Sequence, residues 1–190
     1  MTIGKHNTFV WVHRSDGDAL RTMAEANRHE EMAWIAEQCE RAGLHPSEPT
    51  PELIRLEALA LRPGTWPTQS NLLEAAMRVR LAAPDLVGPW VPFTHEEREA
   101  QRLPGRRYGT AKQKFTDKLA LDIDPVLVDH GHLAAYRISE PIVAELIAEN
   151  LVGPGASRSR AARQRREELQ AQIYTLGRVV REALAAIVGP

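Results

Sequence analysis

Six apolar side chains near the C-terminus recur at alternating intervals of four and three residues. This spacing aligns them along one side of an α-helix and is the a/d pattern of a coiled coil, sustained for nearly three heptads. Apolar residues recur with a helical period elsewhere too, so the sequence predicts a mainly α fold: a helical domain with one or two short strands and a long C-terminal helix over 157–188. We call the six positions the heptad seam: Leu169, Ile173, Leu176, Val180, Ala183 and Ile187.

The heptad seam has two possible uses. In a coiled coil it would hold two copies of the chain together, which predicts a homo-oligomer. Alternatively, the seam packs back onto the chain's own core, as the apolar stripe of a surface helix does. The sequence leaves both uses open.

Charge is segregated along the chain, although the 190 residues carry 24 basic and 25 acidic side chains and a formal net charge of −1. Residues 1–100 have ten Lys/Arg against fifteen Asp/Glu, and residues 121–156 have one against six. The middle basic block, residues 101–120, has six basic side chains against one acidic, and the C-terminal basic block, residues 157–181, has seven against two. Such asymmetry bears on the choice of partner more than the total charge does.

Each basic block is a candidate surface for phosphates. In the middle block the cations are interleaved with Tyr108 and Phe115, and rings can stack on bases while cations meet phosphates. In the C-terminal block the arginines directly precede the heptad seam, on a helix that can follow a duplex. Either block can instead be a solvated face, or can pair with acidic residues of this chain or of a second copy. The predicted nucleic-acid contacts are Arg106, Arg107, Lys112, Lys114, Lys118, Arg158, Arg160, Arg163, Arg165 and Arg166.

Residues 133–147 resemble a helix-turn-helix. The apolar–Ser turn at Ser139, the Val143 four residues later and the apolar positions that follow match the second half of that motif. The resemblance implies a helical hairpin over 125–151, whose second helix begins at Ser139 and points into the major groove.

The same part of the chain also resembles a ribbon-helix-helix. That resemblance implies a strand over 118–123, which would pair with a second copy and enter the groove, followed by helices over 125–137 and 140–151. An ordinary helical hairpin within the core is the third interpretation of this segment.

Shorter elements follow from local patterns. Thr8 to Val12 is β-branched and aromatic, which predicts a short strand or an extended arm, and Leu119 to Ile123 alternates like a strand. An apolar stripe between Asp18 and Gly43 belongs to one helix or to two. The four tryptophans are expected to anchor the core or an interface. Helix starts are predicted at capping residues: Thr50 for a helix ending near Arg62, Ser70 for a helix over 71–82, Thr94 with Glu97 as a capping box, and Asp124 before Pro125.

Little in the sequence points to catalysis. His130 and His132, with Asp124 or Asp129, are candidate metal ligands only if their segment is extended, because alternate residues on a helix point about 200° apart. The single cysteine, Cys39, excludes an internal disulfide and is expected to be a small buried hydrophobe. The sequence also lacks the P-loop, the dinucleotide-binding glycine motif and the nucleophile elbow. It therefore predicts no metal, no cofactor and no enzyme, and an enzyme using these histidines and aspartates is the least favoured alternative.

The patterns together predict three segments: an N-terminal arm and helix over 1–46, a helical core over 47–153 that contains the basic loop 101–120, and a basic oligomerisation helix over 154–190. The absence of a long apolar run or a secretory signal indicates a cytoplasmic protein without membrane contact.

The leading interpretation is a nucleic-acid-binding protein of regulatory or architectural type, as in transcription regulation. It would oligomerise through its C-terminal helix and contact phosphates through the two basic blocks, with duplex DNA as the expected form and no small-molecule substrate. The alternative is a non-enzymatic structural or protein–protein interaction subunit, an assembly or adaptor component, whose basic helix docks on an acidic partner.

Overall fold

The structure, a computed structural model, describes residues 6–41, 43, 66–100, 115–153 and 155–189. The described part is mainly helical, with one pair of short strands, which confirms the fold class that the sequence predicts. The helix expected between Thr50 and about Arg62 lies outside the described residues. In chain order the elements are β1 (His6–Val12), α1 (Arg14–Arg41), α2 (Gln69–Leu81), α3 (His95–Ala100), β2 (Asp117–Ile123), α4 (Pro125–Ala148), α5 (Arg160–Gln172) and α6 (Leu176–Val188).

The two strands form an antiparallel sheet, as their local patterns predict. His6 pairs with Ile123 and Val12 pairs with Asp117, so the first strand of the chain lies against a strand more than a hundred residues later. Side chains alternate between the two faces of a strand. The inner face is apolar and buried, and it consists of Val10, Val12, Leu119, Leu121 and Ile123.

The main hydrophobic core lies between this inner face and the helices. Leu20 of α1, Leu73 and Met77 of α2, and Leu184 of α6 are fully buried there. Each such side chain contributes about 1.5–3 kcal/mol by leaving water. A second, smaller cluster joins the end of α4 to α5 and consists of Leu146, Leu151, Leu169 and Ile173.

The C-terminal segment does not form the single long helix that the heptad spacing predicts. It forms two helices of 13 residues each, α5 and α6, separated by residues 173–175. Thr175 is extended and caps α6, since its hydroxyl oxygen accepts the backbone N–H of Arg178 at 3.2 Å. The prediction of an uninterrupted helix is wrong because this cap starts a new helix, and the backbone N–H of Tyr174 donates to the Ser139 hydroxyl on α4 instead of to a carbonyl of α5.

Residues 125–148 form one continuous helix, so the helix-turn-helix, the ribbon-helix-helix and the core hairpin are all wrong for this segment. Asp124 caps the helix as predicted, with a carboxylate oxygen 2.9 Å from the N–H of Val126. Ser139, expected to begin a second helix, instead lies inside α4 and is 4% exposed. Its hydroxyl accepts the N–H of Tyr174 at 2.7 Å and donates to the Tyr174 carbonyl at 2.9 Å, so the serine joins α4 to the segment between α5 and α6 and makes no turn.

The other local predictions have mixed outcomes. The stripe between Asp18 and Gly43 belongs to one helix, α1, on which Cys39 is buried as expected. The capping box is confirmed, because Thr94 and Glu97 exchange backbone-to-side-chain hydrogen bonds of 2.8 and 3.1 Å. Ser70 is not the cap of α2: Thr68 caps that helix, and the Ser70 hydroxyl accepts the N–H of Asp122 on β2 instead.

Candidate nucleic-acid interface

The middle basic block reaches the described part of the chain only at its end. Arg106, Arg107, Lys112 and Lys114 lie outside the described residues. Lys118 is exposed on β2, three residues after Phe115. The structure therefore shows this predicted surface only around Phe115 and Lys118.

The outer face of the sheet carries aromatic rings. Because Val10 and Val12 point into the core, Phe9 and Trp11 point away from it, and they are 56% and 50% exposed. Ala120 stands opposite Phe9 and Lys118 stands opposite Trp11. We call this surface the outer sheet face, defined by Phe9, Trp11, Lys118, Ala120 and Asp122.

Two cations lie against aromatic rings in this region, Lys118 on the outer sheet face and Arg181 of α6 against Phe115, which precedes β2. The Lys118 ammonium is 3.9 Å from the centroid of the Phe9 ring, and the Arg181 guanidinium is 3.9 Å from that of Phe115. An exposed cation–π contact of this kind is worth about 0.5–1 kcal/mol, less than a base stacked on a ring, at about 1–3 kcal/mol. A nucleic acid base can therefore replace the lysine on the Phe9 ring while the ammonium turns to a phosphate.

Arg181 ties this surface to the last helix. Its guanidinium donates a 3.2 Å hydrogen bond to the carbonyl of Trp11, and the Phe115 ring that it covers also meets the edge of His13, at a centroid distance of 4.8 Å. Burial lowers the pKa of Arg181, with the nearby Arg178 acting in the same direction. An arginine remains charged despite such a shift, so the group is a partly desolvated cation beside β1.

The acidic groups near the sheet differ in their pairing. Asp117, at the start of β2, accepts a 2.7 Å hydrogen bond from Arg21, which also binds Asp18. Asp122 is exposed at the opposite end of the outer sheet face. Negative charge is thus partly neutralised at the Trp11 end, where Lys118 and Arg181 lie.

The C-terminal basic block is partly engaged by the chain's own carboxylates. Arg165 on α5 binds Glu145 on α4 and Glu149 directly after α4, the latter at 3.2 Å, and approaches Glu168 at 3.8 Å. These carboxylates, Glu149 first, raise the pKa of Arg165. Arg165 therefore pairs with the acidic segment that precedes it in the chain.

The other four arginines of this block that the sequence predicts as nucleic-acid contacts are arranged differently. Arg158, Arg160 and Arg163 are exposed, and the Arg163 guanidinium donates to the carbonyl of Arg158 at 3.1 Å. Arg166 is half-buried and donates to the carbonyl of Ser157 at 3.0 Å. The structure thus brings three arginines of the block together at the exposed start of α5.

The heptad seam lies against the chain's own core. Val180 and Ala183 are fully buried in the main core, and Leu176 and Ile187 pack against it. Leu169 and Ile173 belong to the second cluster. Because α5 and α6 are separate helices, the six side chains serve two clusters within one chain.

The residues considered for chemistry are not gathered into a site. His130 and His132 are two positions apart on the helix α4, where their side chains diverge. Among the described residues there is no group of three His, Cys, Asp or Glu that could hold a metal ion. Within the same ranges, no helix is both long and apolar enough to cross a bilayer.

Sequence reasoning did not single out Phe9, Trp11 or Arg181. The alternation in residues 9–12 does place Phe9 and Trp11 on one face. The opposite face is equally apolar, however, so the pattern could not say which face is exposed. Trp11 was expected to be buried in a core or interface, and within this chain it is half-exposed. Arg181 is 170 residues from its hydrogen-bond partner Trp11, and no local pattern carries that information.

The fold and this surface define a mainly α-helical protein with a two-stranded antiparallel sheet that presents aromatic and basic side chains on its outer face. No protein-family model, curated protein or solved structure matches the chain. Its function must therefore be inferred from its own residues.

Proposed function

We propose that this protein binds nucleic acid in a regulatory or architectural role, through the outer sheet face and the adjoining middle basic block. The observation that supports the proposal is the position of Lys118 over the Phe9 ring and of Arg181 over the Phe115 ring, close to the exposed Trp11. Cations of this kind neutralise phosphates, and aromatic rings beside them contact bases. Two large half-exposed rings side by side on one strand, with a lysine over one of them, form the kind of exposed patch that marks an interaction site.

The charge of the adjoining sequence supports the same partner. Residues 101–116 contain five basic side chains and no acidic one, and they lead directly into β2. In this proposal Arg106, Arg107, Lys112 and Lys114 add phosphate contacts to that of Lys118. The middle basic block is therefore the main source of affinity.

The C-terminal basic block has a smaller part in the proposal. Arg158, Arg160 and Arg163 are exposed and can add phosphate contacts, whereas Arg165 is held by Glu145 and Glu149. Association of two copies through the heptad seam is not proposed, because those side chains already pack within the chain.

The test is the salt dependence of binding to a random-sequence duplex, a single-stranded DNA and an RNA of equal length. We expect the double variant Lys114→Gln/Lys118→Gln to lower the slope of log K against log salt by about 1.4–1.8, since each lost phosphate contact removes about 0.7 on a single strand and about 0.9 on a duplex. The matched control is Arg28→Gln/Arg41→Gln, which removes the same charge from exposed positions on α1. Equal slopes for the two double variants, or no binding at about 50 mM salt, would contradict the proposal.

The ion pairs of Arg165 favour a second candidate, an assembly or adaptor subunit whose basic helix docks on an acidic partner. Arg165 already binds carboxylates of α4, which is the chemistry that such docking requires. Polyglutamate is a suitable probe. This candidate would replace the first if the chain bound polyglutamate but no nucleic acid, and if Arg158→Gln/Arg160→Gln/Arg163→Gln abolished that binding.

A further inference from the structure

Two rings project in the same direction from alternate positions of one strand. Phe9 and Trp11 are separated by about 6.8 Å along β1, since a strand rises about 3.4 Å per residue. Each ring leaves about half of its surface open, and the small Ala120 stands opposite Phe9 on the neighbouring strand. The face is thus shallow and carries two half-exposed rings, with the Lys118 ammonium over the Phe9 ring until it turns to a phosphate.

A nucleic acid duplex offers these rings little to bind. Within a duplex each base is stacked between its neighbours, so that only base edges and the backbone are accessible, whereas a single strand can place the flat face of a base on an aromatic side chain. A two-stranded ribbon can enter the major groove of a duplex, but it reads base edges there through polar side chains. Phe9, Trp11 and Ala120 occupy three of the five positions that define the outer sheet face, which favours stacking over the reading of base edges.

We propose that the outer sheet face is a binding platform for single-stranded nucleic acid, with one base stacked on Phe9 and another on Trp11. The inference rests on the proposed function, because it takes nucleic acid as the ligand, and it adds the form that is bound and the residues that select it. Bases of any sequence present a flat face, so binding at this site tolerates many sequences.

The charged groups of the face fit a single nucleic acid strand that runs along β1. The Lys118 ammonium lies 3.9 Å from the Phe9 ring and can meet the phosphate of the base stacked there, and the Arg181 guanidinium, 3.2 Å from the Trp11 carbonyl, adds positive charge at the Trp11 end. Asp122 is exposed beyond Ala120 and repels phosphates at that end. The bound nucleic acid strand is therefore held over the Phe9 and Trp11 rings.

The experiment compares the affinities of ring variants for oligothymidine and for a duplex of the same length. We expect Phe9→Ala and Trp11→Ala each to weaken oligothymidine binding by about 5- to 150-fold, the range for loss of one stacked base. The salt slope should stay unchanged because neither ring is charged, and Trp11→Phe should keep most of the affinity. The control Val79→Ala truncates an apolar side chain that is 75% exposed on α2 and should bind as the wild type does.

The outcomes separate the two proposals. If the wild-type chain binds neither oligothymidine nor duplex at low salt, the proposed function itself fails. If it binds nucleic acid but prefers the duplex, or if Phe9→Ala and Trp11→Ala keep wild-type affinity for oligothymidine, the platform is overturned while the proposed function stands. Should an alanine variant fail to fold, the oligothymidine affinities of Trp11→Leu and Trp11→Phe are compared instead. Leucine keeps the apolar bulk and loses the ring, so Trp11→Leu should bind more weakly than Trp11→Phe. Equal oligothymidine affinities for those two variants would also overturn the platform.

Discussion

Replacing Ser139 with alanine tests the contact that joins α4 to the segment between α5 and α6. The Ser139 hydroxyl is buried and makes two hydrogen bonds to the backbone of Tyr174, one as acceptor and one as donor. Ser139→Ala removes both bonds with almost no change in shape. It leaves the Tyr174 N–H and carbonyl without this partner at a site where the serine is only 4% exposed.

The expected loss of stability follows from these two bonds. A buried N–H left without a partner costs about 1–3 kcal/mol, and the loss of a neutral hydrogen bond to the carbonyl adds about 0.5–1.5 kcal/mol. We therefore expect Ser139→Ala to lower the free energy of unfolding by about 2–4 kcal/mol. For a chain of this length each kcal/mol shifts the unfolding midpoint by about 2–4 °C, so Tm should fall by about 4–16 °C.

Urea unfolding followed by circular dichroism measures this loss directly. The matched control is Ser157→Ala, an exposed serine before α5 whose replacement should change stability by less than about 0.5 kcal/mol. The m-value should be the same for wild type and variant, since the area exposed on unfolding does not change. If Ser139→Ala proves as stable as Ser157→Ala, the hydroxyl does not bridge to Tyr174, and the break between α5 and α6 must have another cause.

Three further predictions concern other contacts. Arg137 lowers the pKa of Glu97 from 4.5 to about 2, so Glu97 stabilises the fold fully above about pH 4.5 and loses this effect as the pH falls through 2. Glu97→Gln should therefore unfold more easily than wild type at pH 6, and the difference should shrink steadily between pH 4.5 and pH 2. Burial, followed by the hydrogen bond to Glu182, raises the pKa of Tyr174 to about 12, so Tyr174→Phe should remove an ultraviolet absorbance step near pH 12. Leu184→Ala should cost about 2–5 kcal/mol in urea unfolding because Leu184 is fully buried, and a loss below 1 kcal/mol would contradict its place in the core.

The sequence predicted those parts of the fold that depend on neighbouring residues. The Asp124 cap, the capping box at Thr94 and the alternation of both strands each lie within a few residues, and each is confirmed. Ser139 shows where local reasoning fails. A serine after an isoleucine is compatible with a helix start, and its partner, Tyr174, is 35 residues away. Only the packing of α4 against the segment after α5 shows that the hydroxyl is buried inside a helix.

The heptad seam failed as an indicator of a long helix for a related reason. The spacing of four and three residues does mark side chains that pack into the core, but these side chains belong to two successive helices and the residues between them. It does not reveal that Thr175 begins a new helix between them. A period in the sequence therefore reports which side chains are buried, and it leaves open whether they are buried by a second copy or by the same chain.

Intramolecular pairing also changes what the charge pattern means. Arg165 of the C-terminal block is bound by Glu145 and Glu149, and Arg178 lies 2.9 Å from Glu182, so two cations of that block are neutralised within the chain. Within the described ranges, Lys118 instead lies against an aromatic ring and makes no ion pair to a carboxylate. Positive charge without a carboxylate partner keeps its attraction for an external anion, whereas a paired cation must first lose its partner. The neutral total of the chain is thus compatible with the polyanion partner that we propose, for which Lys118 and the exposed Arg158, Arg160 and Arg163 are the described candidate contacts.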